Sequence, residues 1–195
     1  VTLANVGHGS TVSADNIRDA AITFPETGAD PLFFSRIETP IQKGDSLRFD
    51  IDLFKSVYKV NVLVEGMQNL DDQEEFYFGM DNHAGLTFGN VPCGEMRTYR
   101  PLLARDPAAG TMYGSFYTPY FPTDSPIAVG IYCDDPASIY GHELFKATVQ
   151  RYMEIVPDVG HDVEIDIHII LNGSGVTIVI SDWEGTIVQE EHFGA

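Results

Sequence analysis

The chain has 195 residues, enough to bury a sizeable core as one large domain or two small ones. Hydrophobic residues make up 44% and charged residues 21%, an ordinary globular balance that argues against disorder. With 11 Lys plus Arg against 29 Asp plus Glu, the net charge of −18 disfavours nucleic acid and anionic membrane surfaces as partners.

In chain order, Val1 to Val6 has a strand pattern that Gly7 and Gly9 end. The stretch Ser13 to Ala21 is a short helix candidate, with Ser13 as N-cap and Asp15 at the positive end of the dipole. Pro25, Gly28 and Pro31 mark a loop, Leu32 to Ile41 holds a short apolar segment, and Lys43 to Ser46 is a turn. From Leu47 onward the pattern becomes strand after strand. Leu47, Phe49, Ile51 and Leu53 alternate with polar residues, and Val60, Val62 and Val64 share one face of a strand over Val57–Glu65. Further strands are expected over Glu74–Met80, Leu86–Phe88, Arg97–Leu103, Thr111–Thr118, Ile127–Cys133 and Leu144–Val149. The clearest alternation is Val163, Ile165, Ile167 and Ile169 against Asp162, Glu164, Asp166 and His168. Asn172 to Gly175 then makes a hairpin loop, Val176–Ile180 returns, Trp183 to Gly185 turns, and Thr186–Gln189 is the last strand.

Many short strands punctuated by Gly, Pro, Asn and Asp predict an all-β antiparallel sandwich or barrel. No crossover helices separate the strands, which excludes parallel βαβ units. The composition shifts from mixed segments to nearly pure β near Gly44 to Asp50, the natural place for a boundary.

The chemistry the sequence offers is sparse. Phosphate-binding glycine loops, a His-Glu-x-x-His helix and paired Cys-x-x-Cys motifs are all missing, so no cofactor, metal or catalytic residue is assigned. Gly173-Ser174-Gly175 lies in a hairpin, the wrong setting for a nucleophile elbow. The Asn172-Gly173-Ser174 sequon is explained by the same turn. Asp71, Asp72, Glu74 and Glu75 lack calcium-loop spacing and are expected to form a solvated acidic loop. Asp162, Glu164, Asp166 and His168 share a strand face; an exposed face whose charge guards a sheet edge is the simpler reading, and a cation site the sharper one. Cys93 and Cys133 are expected as two ordinary thiols. The aromatic run Tyr113, Phe116, Tyr117, Tyr120 and Phe121 offers either core packing or, through Tyr113, Tyr117, Tyr120 and Phe121, a ligand-binding platform of the kind that stacks on sugars.

Two segments resemble a known family. They are Asp30 to Phe34 running through Leu47 to Ile51 into Val57 to Gly66, and the terminal hairpin with Val176 to Ile180 and Trp183. Together these are similar to the fimbrillin-like minor-fimbrium anchor and tip proteins of Bacteroidetes-type pili. The resemblance implies a transthyretin-like Greek-key β-sandwich, with residues 1–45 as the last part of a preceding similar domain and 46–195 as the C-terminal domain. It also implies a structural or adhesive fimbrial subunit, not an enzyme, that joins other fimbrial subunits by β-strand addition. The expected setting is extracytoplasmic, at the cell surface and associated with the outer membrane through a lipid anchor on a segment this chain does not include. The expected partners are fimbrial subunits, with host or bacterial surface proteins or glycans beyond them. A carbohydrate-binding module of a surface lipoprotein is the alternative, distinguished by whether the tyrosine rings lie exposed on one platform.

Overall fold

The computed structural model describes residues 2–5, 9–13, 20–28, 31–36, 44, 48, 50, 54–55, 57–67, 74–119, 127–134, 143–149, 164–172, 175–182 and 187–194. Among these residues every regular element is a strand. They are β1 (Thr2–Asn5), β2 (Thr11–Ser13), β3 (Ala21–Thr23), β4 (Phe33–Arg36), β5 (Phe54–Lys55), β6 (Val57–Glu65), β7 (Phe76–Thr87) and β8 (Pro92–Tyr99). There follow β9 (Ala104–Asp106), β10 (Thr111–Pro119), β11 (Ile127–Cys133), β12 (Glu143–Val149), β13 (Glu164–Asn172), β14 (Gly175–Asp182) and β15 (Ile187–Gly194).

Two sheets carry the core. One has the order β15-β14-β13-β6-β10-β9, and the other runs β12-β11-β7-β3-β2 with β8 also paired to β7. The period-2 pattern read from the sequence is what builds them, because alternate residues face alternate sides. Val60, Val62, Val64, Ile165, Ile167, Ile169, Ile178 and Ile180 face inward from the first sheet and are buried. Phe76, Phe78, Met80, Val129 and Ile131 meet them from the second. Phe116 crosses the gap: its ring lies 5.9 Å from Phe78 and 6.3 Å from Tyr99. Among the described residues a polar link spans the sheets inside this apolar layer. Buried Asn82 donates from Nδ2 to Thr118 Oγ1 at 2.9 Å and to the Pro119 carbonyl at 2.7 Å. Burying an amide without such acceptors would cost a few kcal/mol, so the link fixes the sheets in register as well as in contact.

One pairing departs from the antiparallel pattern. β6 and β13 run parallel, Lys59 opposite Glu164 and Leu63 opposite His168, while every other named strand pair is antiparallel. The connection between them is the rest of the sandwich, not a single crossover helix. Gly66 closes β6 at φ +87 with its backbone against the Leu171 carbonyl; a Cβ there would stand 1.9 Å from that oxygen, so no side chain fits.

The N-terminal strands are shared between two sheets. β2 and β3 extend the second sheet through Ile22 opposite Leu86, and Ile22, Phe24 and Leu32 are buried in the common core. Phe24 donates its N–H to the Ala84 carbonyl, and its own carbonyl accepts from Arg97 Nη1 at 2.6 Å. Among the described residues β1, β4 and β5 form a separate sheet of three strands. The helix expected over Ser13–Ala21 lies mostly outside the described residues, but its two ends are partners in the β2–β3 ladder. The strand expected from Leu47 to Leu53 and the turns at Lys43 and Trp183 also fall largely or wholly outside them.

Candidate functional site

The outward face of the first sheet collects the polar residues singled out in the sequence. β13 is not an edge strand; it lies between β14 and β6, so the charges on its face do not guard an edge. Instead they are answered by β6. Lys59 Nζ sits 3.1 and 3.0 Å from the two carboxylate oxygens of Glu164. Asn61 Nδ2 donates to Glu164 at 3.1 Å and to Asp166 at 2.8 Å. His168 Nε2 lies 3.2 Å from Glu65 Oε2, near enough for an ion pair when the imidazole is protonated, though not aligned as a hydrogen bond. Cross-strand neighbours that pair in this way relieve the repulsion a lone carboxylate row would suffer. Among the described residues no group of three or more His, Cys, Asp or Glu side chains is placed to hold a metal ion.

The strand register extends across the whole face. Reading one residue row from β9 to β14 gives Ala104, Tyr113, Leu63, His168 and Val179 side by side. This belt runs at right angles to the strands. Tyr113 is 54% exposed and Leu63 36%. The row on one side of it holds Ser115, Asn61, Asp166 and Ser181; the row on the other holds Asp106, Thr111, Glu65, Ile170 and Thr177.

Of the aromatic residues proposed as a ligand platform, Tyr113 lies on this face. Tyr117 is half-buried and packs against the core, and Phe116 is inside it. Tyr120 and Phe121 lie outside the described residues. The rings that do stack on something charged are elsewhere: Tyr77 and Tyr132 flank the Arg100 guanidinium at 5.3 and 5.4 Å, and Arg100 pairs with Asp134 at 2.7 Å. The hydrogen bond to Glu75, then burial, raises the Tyr77 phenol above its ordinary value.

The acidic run before β7 is not wholly solvated. Glu75 is exposed, but Glu74 is only 6% exposed, because it continues the inward register of Phe76 and Phe78. Asp71 and Asp72 lie outside the described residues. Cys93 on β8 and Cys133 on β11 are not bridged, and burial pushes the Cys93 thiol up, away from the reactive thiolate form. Buried Tyr99 donates from its phenol to the His83 carbonyl at 2.7 Å.

The two sheets also end in unlike edges. β15 closes the first sheet and pairs with β14 alone among the described strands; β12 closes the second and pairs with β11 alone. On β15 the register positions across from buried Ile180 and Ile178 are Gln189 and Glu191. On β12 the positions across from buried Ile131 and Val129 are Phe145 and Ala147. A charge at a core-register position penalises any strand that would extend the layer, whereas an apolar one continues it.

Among the described residues, two stacked sheets that present edges and an apolar belt define a β-sandwich protein. The chain belongs to the family of fimbrillin-A associated anchor proteins Mfa1 and Mfa2, whose family model matches residues 14–188. It is a structural or adhesive subunit of a fimbria, located outside the cytoplasm at the cell surface. Solved structures share its fold. The fimbrial anchor protein Mfa2 from Porphyromonas gingivalis superposes with a TM-score of 0.60 at 9% identity, over 97% of this chain and 76% of that one. A proposed adhesin from Bacteroides thetaiotaomicron gives 0.54 at 12% identity, over 91% and 69%. Another proposed adhesin, from Bacteroides ovatus, gives 0.53 at 9%, over 94% and 71%. Among curated proteins none matches the sequence.

Proposed function

We propose that this subunit joins its fimbria by strand addition at the β12 edge, and that it works by binding and assembly rather than by catalysis. The observation that supports the site is the contrast between the two edges. Phe145 and Ala147 hold core-register positions on β12, so an added strand there would extend both the hydrogen-bond ladder and the apolar layer. Glu191 and Gln189 oppose the same extension at β15. Other fimbrial subunits are the natural donors, and outer-membrane attachment through a lipid anchor belongs to the same reading. The separate β1-β4-β5 sheet is the part of the chain we assign to a preceding unit.

The test is hydrogen exchange on the chain alone and with peptides copied from the termini of fimbrial subunits made by the same organism. Slowed exchange confined to 143–149 with one such peptide is the expected result. Slowing at 187–194 instead, or at neither edge with any peptide, overturns the assignment.

A further inference from the structure

The belt across the outward face of the first sheet is unexplained by strand addition, since it lies on the face of interior strands and not on an edge. Solvent-facing positions of a sandwich are ordinarily polar, and single apolar exceptions carry no meaning. Here they are contiguous. Tyr113 and Leu63 are register partners, both exposed, with Ala104 beyond Tyr113 on one side and His168 and Val179 beyond Leu63 on the other.

The borders of the belt are acidic. Asp166 lies in one flanking row, and Glu65 and Asp106 in the other. Lys59, the basic side chain on this face, is engaged by Glu164. The chain as a whole carries −18. A second copy would bring the same negative rim against this one, which disfavours self-association here. A sugar platform needs neighbouring rings, but Tyr117, four residues along β10 from Tyr113, is packed against the core.

We propose that the Tyr113–Leu63–His168–Val179 belt docks an apolar protein segment carrying lysine or arginine, its side chains covering the belt while its cations reach Glu65, Asp106 and Asp166. The exposed Tyr113 ring anchors the contact, as aromatic side chains do at interface centres, and can also stack beneath a cation. The surrounding carboxylates speed the encounter and select against acidic partners.

Two octapeptides test this on isotope-labelled chain by NMR titration, one alternating lysine with valine around a central tryptophan and its twin with glutamate for lysine. The lysine peptide is expected to shift the amides of Tyr113, Leu63, His168 and Val179, and the glutamate twin to leave them in place. Tyr113→Ser weakens binding about tenfold, as loss of a single aromatic anchor does. Glu65→Gln weakens it by a smaller factor of about two to three and reduces its salt dependence. Both positions face outward, and unchanged shifts of the buried isoleucines check that each variant is folded. Equal response to both peptides, or shifts confined to the β12 edge, overturns the proposal. So does a belt that answers to oligomers of lactose or N-acetylglucosamine and not to the lysine peptide, which would make the surface a sugar site. Because strand addition reads out at β12, failure here leaves that assignment standing, and the reverse holds.

Discussion

The two faces of the six-stranded sheet are built from the same strands, yet they do different things. Inward, Val60, Val62, Val64, Ile165, Ile167 and Ile169 make an unbroken apolar layer. Outward, one residue away in each case, Lys59, Asn61, Leu63, Glu164, Asp166 and His168 make a paired polar ladder with an exposed belt across it. The first face is about stability and the second about contact. A pleated strand separates the two tasks completely, because a substitution on one side leaves the other side's packing in place.

Four variants sharpen or break that separation. Ile169→Ala, on the inner face, removes a fully buried side chain and is expected to cost about 2–5 kcal/mol in urea unfolding. It should leave binding to the outward belt unchanged in whatever fraction stays folded. Thr118→Val keeps the volume but takes an acceptor from Asn82, and should cost about 1–3 kcal/mol by the same measurement. Tyr99→Phe loses the bond to the His83 carbonyl, worth about 1 kcal/mol at neutral pH. Burial holds the Tyr99 phenol above its ordinary value, so the folded chain keeps a proton that the unfolded chain gives up. That stabilisation is complete below the unfolded tyrosine value of about 10 and is lost as pH rises beyond it. Unfolding measured from neutral to alkaline pH should therefore show a shallower decline in Tyr99→Phe than in the parent. Lys59→Ala, on the outward face, is expected to cost only about 0.2–1 kcal/mol, and less in high salt. A loss there as large as that of Ile169→Ala would show that the polar ladder holds the sheet together, and the separation of tasks would fail.

The strands that bear alternating side chains were legible from the sequence. β6 and β11 have the bounds that their alternation predicts, Val57–Glu65 and Ile127–Cys133, and β10 runs one residue further, to Pro119. β7 was legible only in its first half. Asp81, Asn82 and His83 look like the end of a strand, yet the strand continues to Thr87 because Thr118 and Pro119 satisfy Asn82 from the facing sheet. β2 and β3 are three residues each, too short for any period, and a capping signal at Ser13 competed with them. On the candidate site, the shared face of Glu164, Asp166 and His168 was readable, but their neighbours on β6 were not. Local pattern says which residues point the same way along one strand; only topology says which strand lies alongside. The same limit hides the belt, whose members come from five strands and are adjacent nowhere in the chain.

The parallel pairing of β6 with β13 has a consequence for how the chain reaches its folded state. Lys59 and Glu164 are separated by 105 residues, so the middle of this sheet closes only when the last quarter of the chain is present. Non-local closure of this kind is slow, because the entropy of a long loop is lost before the contact is gained. Until β13 arrives, β6 stands with one side unpaired and its valines uncovered, a template for any other extended chain nearby. For a protein that must leave the cytoplasm before it assembles, the late-closing seam sets the interval during which the nascent subunit has to be kept apart from its neighbours.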